Sequence, residues 1–489
     1  MDQKAFVCKA IEAKQELYDR IADQIWQYAE AGMKEYRSAE YLEQQARELG
    51  FTVETGQAGI PTAFVASYGS GHPVIAFLGE YDALPGLSQK AACPVKDELV
   101  PGAYGHGCGH NCLGTASLAA AAAVMEYMKE TGFQGTVRYY GCPGEEYGSA
   151  KAFMARDGYF DDVDACFTWH PGTTNNAWLS SSLANLSVFF KFKGRTSHAA
   201  STPHLGRSAL DACELMSMGV NYLREHIIPE ARVHYAYVDV GGIAPNVVQD
   251  HAAVHYFIRA PRVYQMMEIY DRVCDVARGA ALMTGTQLEI QIHEGLSDYV
   301  PNGPLTKVLY KALQEVGAPQ FDDADRQLAA EIRKSLTEDQ LQSFQEKYAG
   351  VPEMQELIEK GAVLCDIVLP YTLASSPMGG STDVGDASYC APTAQINVAT
   401  EALATPGHTW QVTAQSCSSI AHKGTIKAAE AMALGAIYAM EDPELLKEAK
   451  AELLKSNGGA YQCPMPKDSD LSLSIHTRSS TTSKKKTSA

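Results

Sequence analysis

The chain has 489 residues, too many for one ordinary compact domain, and its 46% hydrophobic and 20% charged content is that of a folded protein. Acidic residues outnumber basic ones by 58 to 40, a net charge of −18 that repels phosphate backbones and argues against nucleic-acid binding. The twelve cysteines are scattered without a single Cys-x-x-Cys pair, so they read as thiols rather than a disulfide scaffold. The opening Met1-Asp2-Gln3-Lys4 lacks the layout of a signal peptide, and the apolar run at 118–125 is too short to span a membrane. A soluble, cytoplasmic protein is expected.

In chain order, Ile11, Tyr18, Ile21, Ile25, Trp26 and Ala29 recur at helical spacing, and a second amphipathic stretch covers 38–49 before Gly50 stops it. Short apolar runs at 63–67, 74–78, 136–140, 165–169 and 394–398 predict buried strands, with a helix at 115–130 among them. The alternation predicts an α/β fold with helices on both faces of a sheet. Between 185 and 295 the order is strand 186–192, helix 208–226, strands 233–240 and 252–258, helix 265–283 and strand 287–292. That β-α-β-β-α-β order predicts an inserted two-layer α+β domain. The expected organisation is therefore a catalytic domain from 1–184 and 296–466, an inserted domain at 185–295, and a disordered Ser-, Thr- and Lys-rich tail at 467–489. The charged segment 318–365 reads as mostly helical, with no legible motif.

Residues able to hold a metal fall after the predicted strands. Glu80 and Asp82 follow 74–78, Glu145 and Glu146 follow 136–140, His170 directly follows 165–169, and His408 follows 394–398 after a short loop. Ligands of open α/β sheets bind beyond the carboxyl ends of strands, so these groups converge on one rim. Gly105-His106-Gly107-Cys108-Gly109-His110-Asn111 adds a thiol and an imidazole two residues apart, ahead of a helix whose N-terminus favours a thiolate. If Glu145 and Glu146 lie on extended chain they point oppositely, one toward a metal and one toward the water it activates. Sulfur, imidazole and carboxylate together suit Zn²⁺ or Mn²⁺, with two ions possible, and suit Mg²⁺ or Ca²⁺ poorly.

These motifs, with Thr168-Trp169-His170-Pro171, Gly407-His408-Thr409-Trp410 and Ser381-Thr382-Asp383-Val384-Gly385-Asp386, resemble the M20 metallopeptidase family, nearest to its amidohydrolase branch. The resemblance implies a di-metal site of Cys108, His110, Glu146, His170 and His408, with Glu145 as general base and then acid. It implies that the inserted domain serves as lid and dimerisation surface, in a homodimer or a heterodimer with a homologous subunit. His198 would reach the partner subunit's site to stabilise the oxyanion, and Asn246 and Arg259 would hold the substrate's carboxylate.

Two positions depart from the family pattern: Glu80 stands where most members have histidine, which puts Asp82 behind the metal ligands. Asn111 and Leu113 stand where the branch usually has Asp and His. Both departures point to the subgroup that cleaves p-aminobenzoyl-glutamate. The expected function is metal-dependent hydrolysis of that small-molecule amide, the alternatives being an N-acyl-amino-acid amidohydrolase, a dipeptidase or a non-catalytic partner subunit.

Overall fold

The computed structural model describes residues 2–371, 380–457 and 461–466; the tail expected at 467–489 lies outside the described residues. Its strands are β1 (Thr52–Thr55), β2 (Phe64–Gly69), β3 (Val74–Gly79), β4 (Thr136–Gly141), β5 (Ala165–Gly172), β6 (Asn176–Trp178), β7 (Ala184–Lys193), β8 (Arg232–Asp239), β9 (His251–Ala260), β10 (Gln287–Leu296) and β11 (Thr393–Ala399). Seven form a mixed sheet in the order β1-β2-β4-β3-β5-β11-β6, drawing on both ends of the chain. β3 runs parallel to β4 and β5, and β5 parallel to β11. The carboxyl ends of these four strands therefore share one edge.

Both faces of this sheet are covered, which is why its central strands are continuous apolar runs. Ile75 and Phe77 point into a core shared with helices His110–Thr131 and Ser419–Met440, while Val74, Ala76 and Leu78 point into another with helices Ala150–Arg156 and Val384–Cys390. The helix at 110–131 is buried nearly all round, and its run of five alanines at 119–123 packs without a polar face.

The second sheet, β10-β7-β9-β8, is wholly antiparallel. Alternate residues Leu186, Val188, Phe190, Val254, Tyr256 and Ile258 bury against helices Ala209–Leu223 and Val263–Thr284, giving the β-α-β-β-α-β order expected for 185–295. The 318–365 segment holds helices Asp323–Arg333, Glu338–Lys347 and Pro352–Glu359. Phe321, Ala329, Met354 and Leu364 form a small core with Ala399, Ala402 and Leu403, so this segment supports the loop running from β11 toward His408. No helix among the described residues is long and apolar enough to cross a membrane.

Candidate active site

The helix after the glycine-rich motif begins at His110, five residues earlier than its sequence pattern suggested. Gly109 caps it at φ 74°, a left-handed conformation that glycine adopts freely. Gly114 lets it press on the exit of β3, since a Cβ there would lie 2.4 Å from the Glu80 carbonyl oxygen. Cys108 and His110 are thereby held beside the residues leaving β3. His408 joins them from the far end of the chain: its backbone N–H donates to the Gly107 carbonyl at 2.9 Å, and its φ of 57° is unusual for a side chain-bearing residue.

Six of the expected residues come together. The potential ligand atoms of Cys108, His110 and His170 lie within 4.8 Å of one another, as do those of Cys108, Glu146 and His408. The two sets share the Cys108 sulfur, which is 3.4 Å from His170 Nε2. His170 Nδ1 donates to the Pro171 carbonyl at 2.7 Å, leaving Nε2 as a lone pair directed at the cluster. His110 Nδ1 lies 2.8 Å from Asp82 Oδ1, while its Nε2 is buried without a hydrogen bond, 3.3 Å from Glu80 and 4.0 Å from Glu145. His408 Nε2 is 3.1 Å from Glu146 Oε1. Glu145 and Glu146 sit in a turn rather than on extended chain, and the turn is what aims one at His110 and the other at His408.

Burial pushes the Cys108 thiol far above its usual range, so a cation is needed to hold it as thiolate. Burial opposes charge on His110 too, but Cys108 and Asp82 outweigh it and hold the imidazole well above its ordinary value. His170 is pushed down by burial and by His110. Glu145 is raised well above the carboxylate range by burial, then by Glu80 and Glu146, which suits a group that must both take and give a proton. A half-buried thiol, two histidines with Nε2 turned inward and a carboxylate with a third histidine are a donor set that fits divalent metal.

The other expected residues stand outside these ligand sets. Asp82 stands behind His110, its second oxygen accepting the Glu146 N–H at 2.9 Å. His198 and Asn246 are exposed neighbours, with the Ala199 N–H donating to the Asn246 carbonyl at 3.0 Å. Arg259 is half-buried on β9, opposite Asn185 of β7, with its guanidinium 5.6 Å from the Phe257 ring centre. Sequence reasoning missed Lys151. Its fully buried ammonium bridges Glu80 at 2.7 Å and Asp383 at 2.6 Å, on the far side of Glu80 from His110.

Residues 76–332 match the Peptidase family M20/M25/M40. One of the subunits of the p-aminobenzoyl-glutamate hydrolase of Escherichia coli (strain K12) is 46% identical over 95% of this chain and 97% of its own length. The chain belongs to peptidase family M20/M25/M40. A more distant relative, the Xaa-Arg dipeptidase of Mus musculus, is 28% identical over 92% of this chain and 91% of its own. In fold, the Bacillus subtilis YXEP protein, a dinuclear metal binding peptidase from the M20 family, aligns at a TM-score of 0.56 and 16% identity, covering 88% of this chain and 99% of that one. This M20 protein is a metal-dependent amidohydrolase, and among the described residues Cys108 is shared by two of the three groups able to hold a metal, the third being Glu80, His110 and Glu145.

Proposed function

We propose that this chain hydrolyses p-aminobenzoyl-glutamate. Water adds its hydroxyl to the aroyl carbon, the C–N bond breaks, and the nitrogen leaves with a proton, giving p-aminobenzoate and glutamate. The observation that carries this reading is Glu145 poised beside two ligand sets that share Cys108, in a chain 46% identical to part of a hydrolase named for that substrate.

In this reading Cys108, His110, Glu146, His170 and His408 hold two ions, Zn²⁺ or Mn²⁺. When bound, the ions supply Lewis acidity that polarises the scissile carbonyl and acidifies water. Glu145 takes the proton of the attacking water and passes it to the leaving nitrogen. Arg259 and Asn246 take the glutamate carboxylate, Arg259 through a charge-assisted fork. His198 serves a second subunit's site. Its Nδ1 accepts the Ala200 and Ser201 N–H groups at 3.1 and 3.2 Å, which leaves the ring proton on Nε2 as the donor an oxyanion requires.

Residues 185–295 act as lid and dimerisation unit on a catalytic unit of 1–184 and 296–466. Leu215, Met218 and Tyr222 form an exposed apolar stripe on the helix at 209–223, and Tyr237 and Val238 are exposed on the edge strand β8; together they support pairing with a second copy or a homologous subunit. All twelve cysteines are free thiols, which suits a cytoplasmic protein.

The test is a comparison of kcat/KM on p-aminobenzoyl-glutamate, hippurate and an Xaa-Arg dipeptide with Zn²⁺- and Mn²⁺-loaded protein. The 28% identity to an Xaa-Arg dipeptidase makes the dipeptide the second reading. Preference for p-aminobenzoyl-glutamate is expected; a higher kcat/KM on the dipeptide would transfer the assignment.

A further inference from the structure

The turn that carries Glu145 and Glu146 is fastened by carboxylates at alternate backbone amides. Gly144 N–H donates to Glu35 Oε1 at 2.7 Å, and Glu146 N–H to Asp82 Oδ2 at 2.9 Å. Gly148 N–H reaches Glu294 Oε1 at 3.5 Å, and the Ser149 hydroxyl donates to the same oxygen at 2.6 Å. The amide contact is long, so Ser149 is the principal hold. All these side chains are buried: Glu35 and Ser149 at 0% exposure, Asp82 at 1% and Glu294 at 7%. Ser149 has a φ of 53°, a conformation that persists in a non-glycine residue only where surrounding bonds impose it.

The three carboxylates differ in origin. Glu35 immediately precedes the helix Tyr36–Leu49, and Asp82 follows β3, both within the layers of the seven-stranded sheet. Glu294 belongs to the other sheet. It lies on β10 just past a bulge at Ile292/Glu294, opposite Ser187 of β7. Asn185, two residues along β7 and on the same face, is opposite Arg259 of β9. Burial pulls the Arg259 pKa down and the charge of Glu294 opposes that, so the two are within electrostatic reach.

We infer that Glu294 is a positioning residue that ties the catalytic turn to the four-stranded sheet, so that the placement of Glu145 and Glu146 depends on a residue from outside the sheet that bears them. The inference rests on the reaction proposed for this site. It makes the inserted sheet part of the catalytic geometry as well as a cover: the strand next to the one opposite Arg259 also holds the turn that carries the base.

The test uses the full chain with Glu294→Ala, Glu294→Gln, Ser149→Ala and the Glu294→Ala/Ser149→Ala double variant. Three quantities are read: Co²⁺ affinity by visible absorption, kcat and KM on p-aminobenzoyl-glutamate, and melting temperature. Glutamine keeps an oxygen that accepts from Ser149 and Gly148, so Glu294→Gln should stay within about threefold of wild type in kcat and Co²⁺ affinity. Glu294→Ala should lose roughly tenfold in each, with KM changed by less than about threefold. The double variant should be no worse than the poorer single, because both remove one interaction.

Wild-type kcat and Co²⁺ affinity in Glu294→Ala, with only a lower melting temperature, would overturn the inference. So would a Glu294→Gln variant as impaired as the alanine, or multiplicative losses in the double. Should Glu294→Ala fail to fold, Ser149→Ala, which removes a single hydroxyl, carries the same expectation. A wild-type chain that binds Co²⁺ but leaves p-aminobenzoyl-glutamate intact refutes the substrate reading alone, and the Co²⁺ affinities across the series still decide the role of Glu294.

Discussion

Replacing Lys151 with methionine removes the cation from a buried trio while keeping nearly the same volume. The ammonium is at 0% exposure, 2.6 Å from Asp383 and 2.7 Å from Glu80, whose side chains are 0% and 2% exposed. Removing one partner of a buried ion pair leaves uncompensated charge and costs about 3–5 kcal/mol. Unfolding entropy of about 2.1 cal/mol/K per residue gives roughly 1 kcal/mol per degree for a cooperative unit of this size, so the melting temperature should fall by about 3–5 °C.

The pH dependence has a definite sign. Burial already pushes Asp383 up to about 6 with Lys151 opposing it, and loss of the lysine raises it further. Protonation then removes the stranded charge, so the Lys151→Met deficit should be smaller at pH 5 than at pH 8. A triple variant, Lys151→Met/Asp383→Asn/Glu80→Gln, should recover most of the loss. Calorimetry at the two pH values tests this. A Lys151→Met melting temperature equal to wild type at pH 8, or a deficit that grows on acidification, would refute the reasoning.

Asp82→Asn leaves one oxygen for two donors, His110 Nδ1 and the Glu146 N–H; Co²⁺ affinity should fall about 10–100-fold, and an unchanged titration would contradict the role given to Asp82. Glu401 is buried with Oε2 lacking a hydrogen-bond partner, and burial raises its pKa to about 8. Its folded pKa exceeds the unfolded value near 4.3, so the charge penalty is absent below that value and grows until about pH 8. Glu401→Gln should therefore stabilise the protein more at pH 8 than at pH 5, and an equal melting shift at both would count against it. With the proposed pairing, wild type should sediment as a dimer and Met218→Lys/Tyr222→Lys as a monomer; a monomeric wild type or an unaltered dimeric variant would count against that helix face.

The central strands were legible because a sheet buried on both faces leaves continuous apolar runs. The predicted bounds 63–67, 74–78, 136–140 and 394–398 fall within two residues of β2, β3, β4 and β11 at each end. β1 was not legible, being a polar edge strand with three of four residues exposed, nor was β6, only three residues long. The helix start at His110 was hidden because the helix opens on histidine and asparagine and has a glycine at 114, which interrupts any apolar stripe. Glu145, Glu146, His170 and His408 could be singled out because each lies at or beyond the end of a strand at the shared edge, and Cys108 and His110 because a glycine-rich motif carries them. Lys151, Glu35 and Glu294 carried no such signal. Their meaning lies in contacts over long sequence separations, 232 residues between Lys151 and Asp383 and 145 between Ser149 and Glu294, that a local pattern does not encode.

The most direct measurement is release of p-aminobenzoate from p-aminobenzoyl-glutamate by wild type and Glu145→Gln at matched Zn²⁺ or Mn²⁺ content. Glutamine cannot carry the proton but leaves Cys108, His110, Glu146, His170 and His408 in place, so metal content should persist while kcat falls by at least about 10²-fold. Turnover in Glu145→Gln close to wild type, at equal metal content, would contradict the assignment of the base and with it the proposed chemistry of the site.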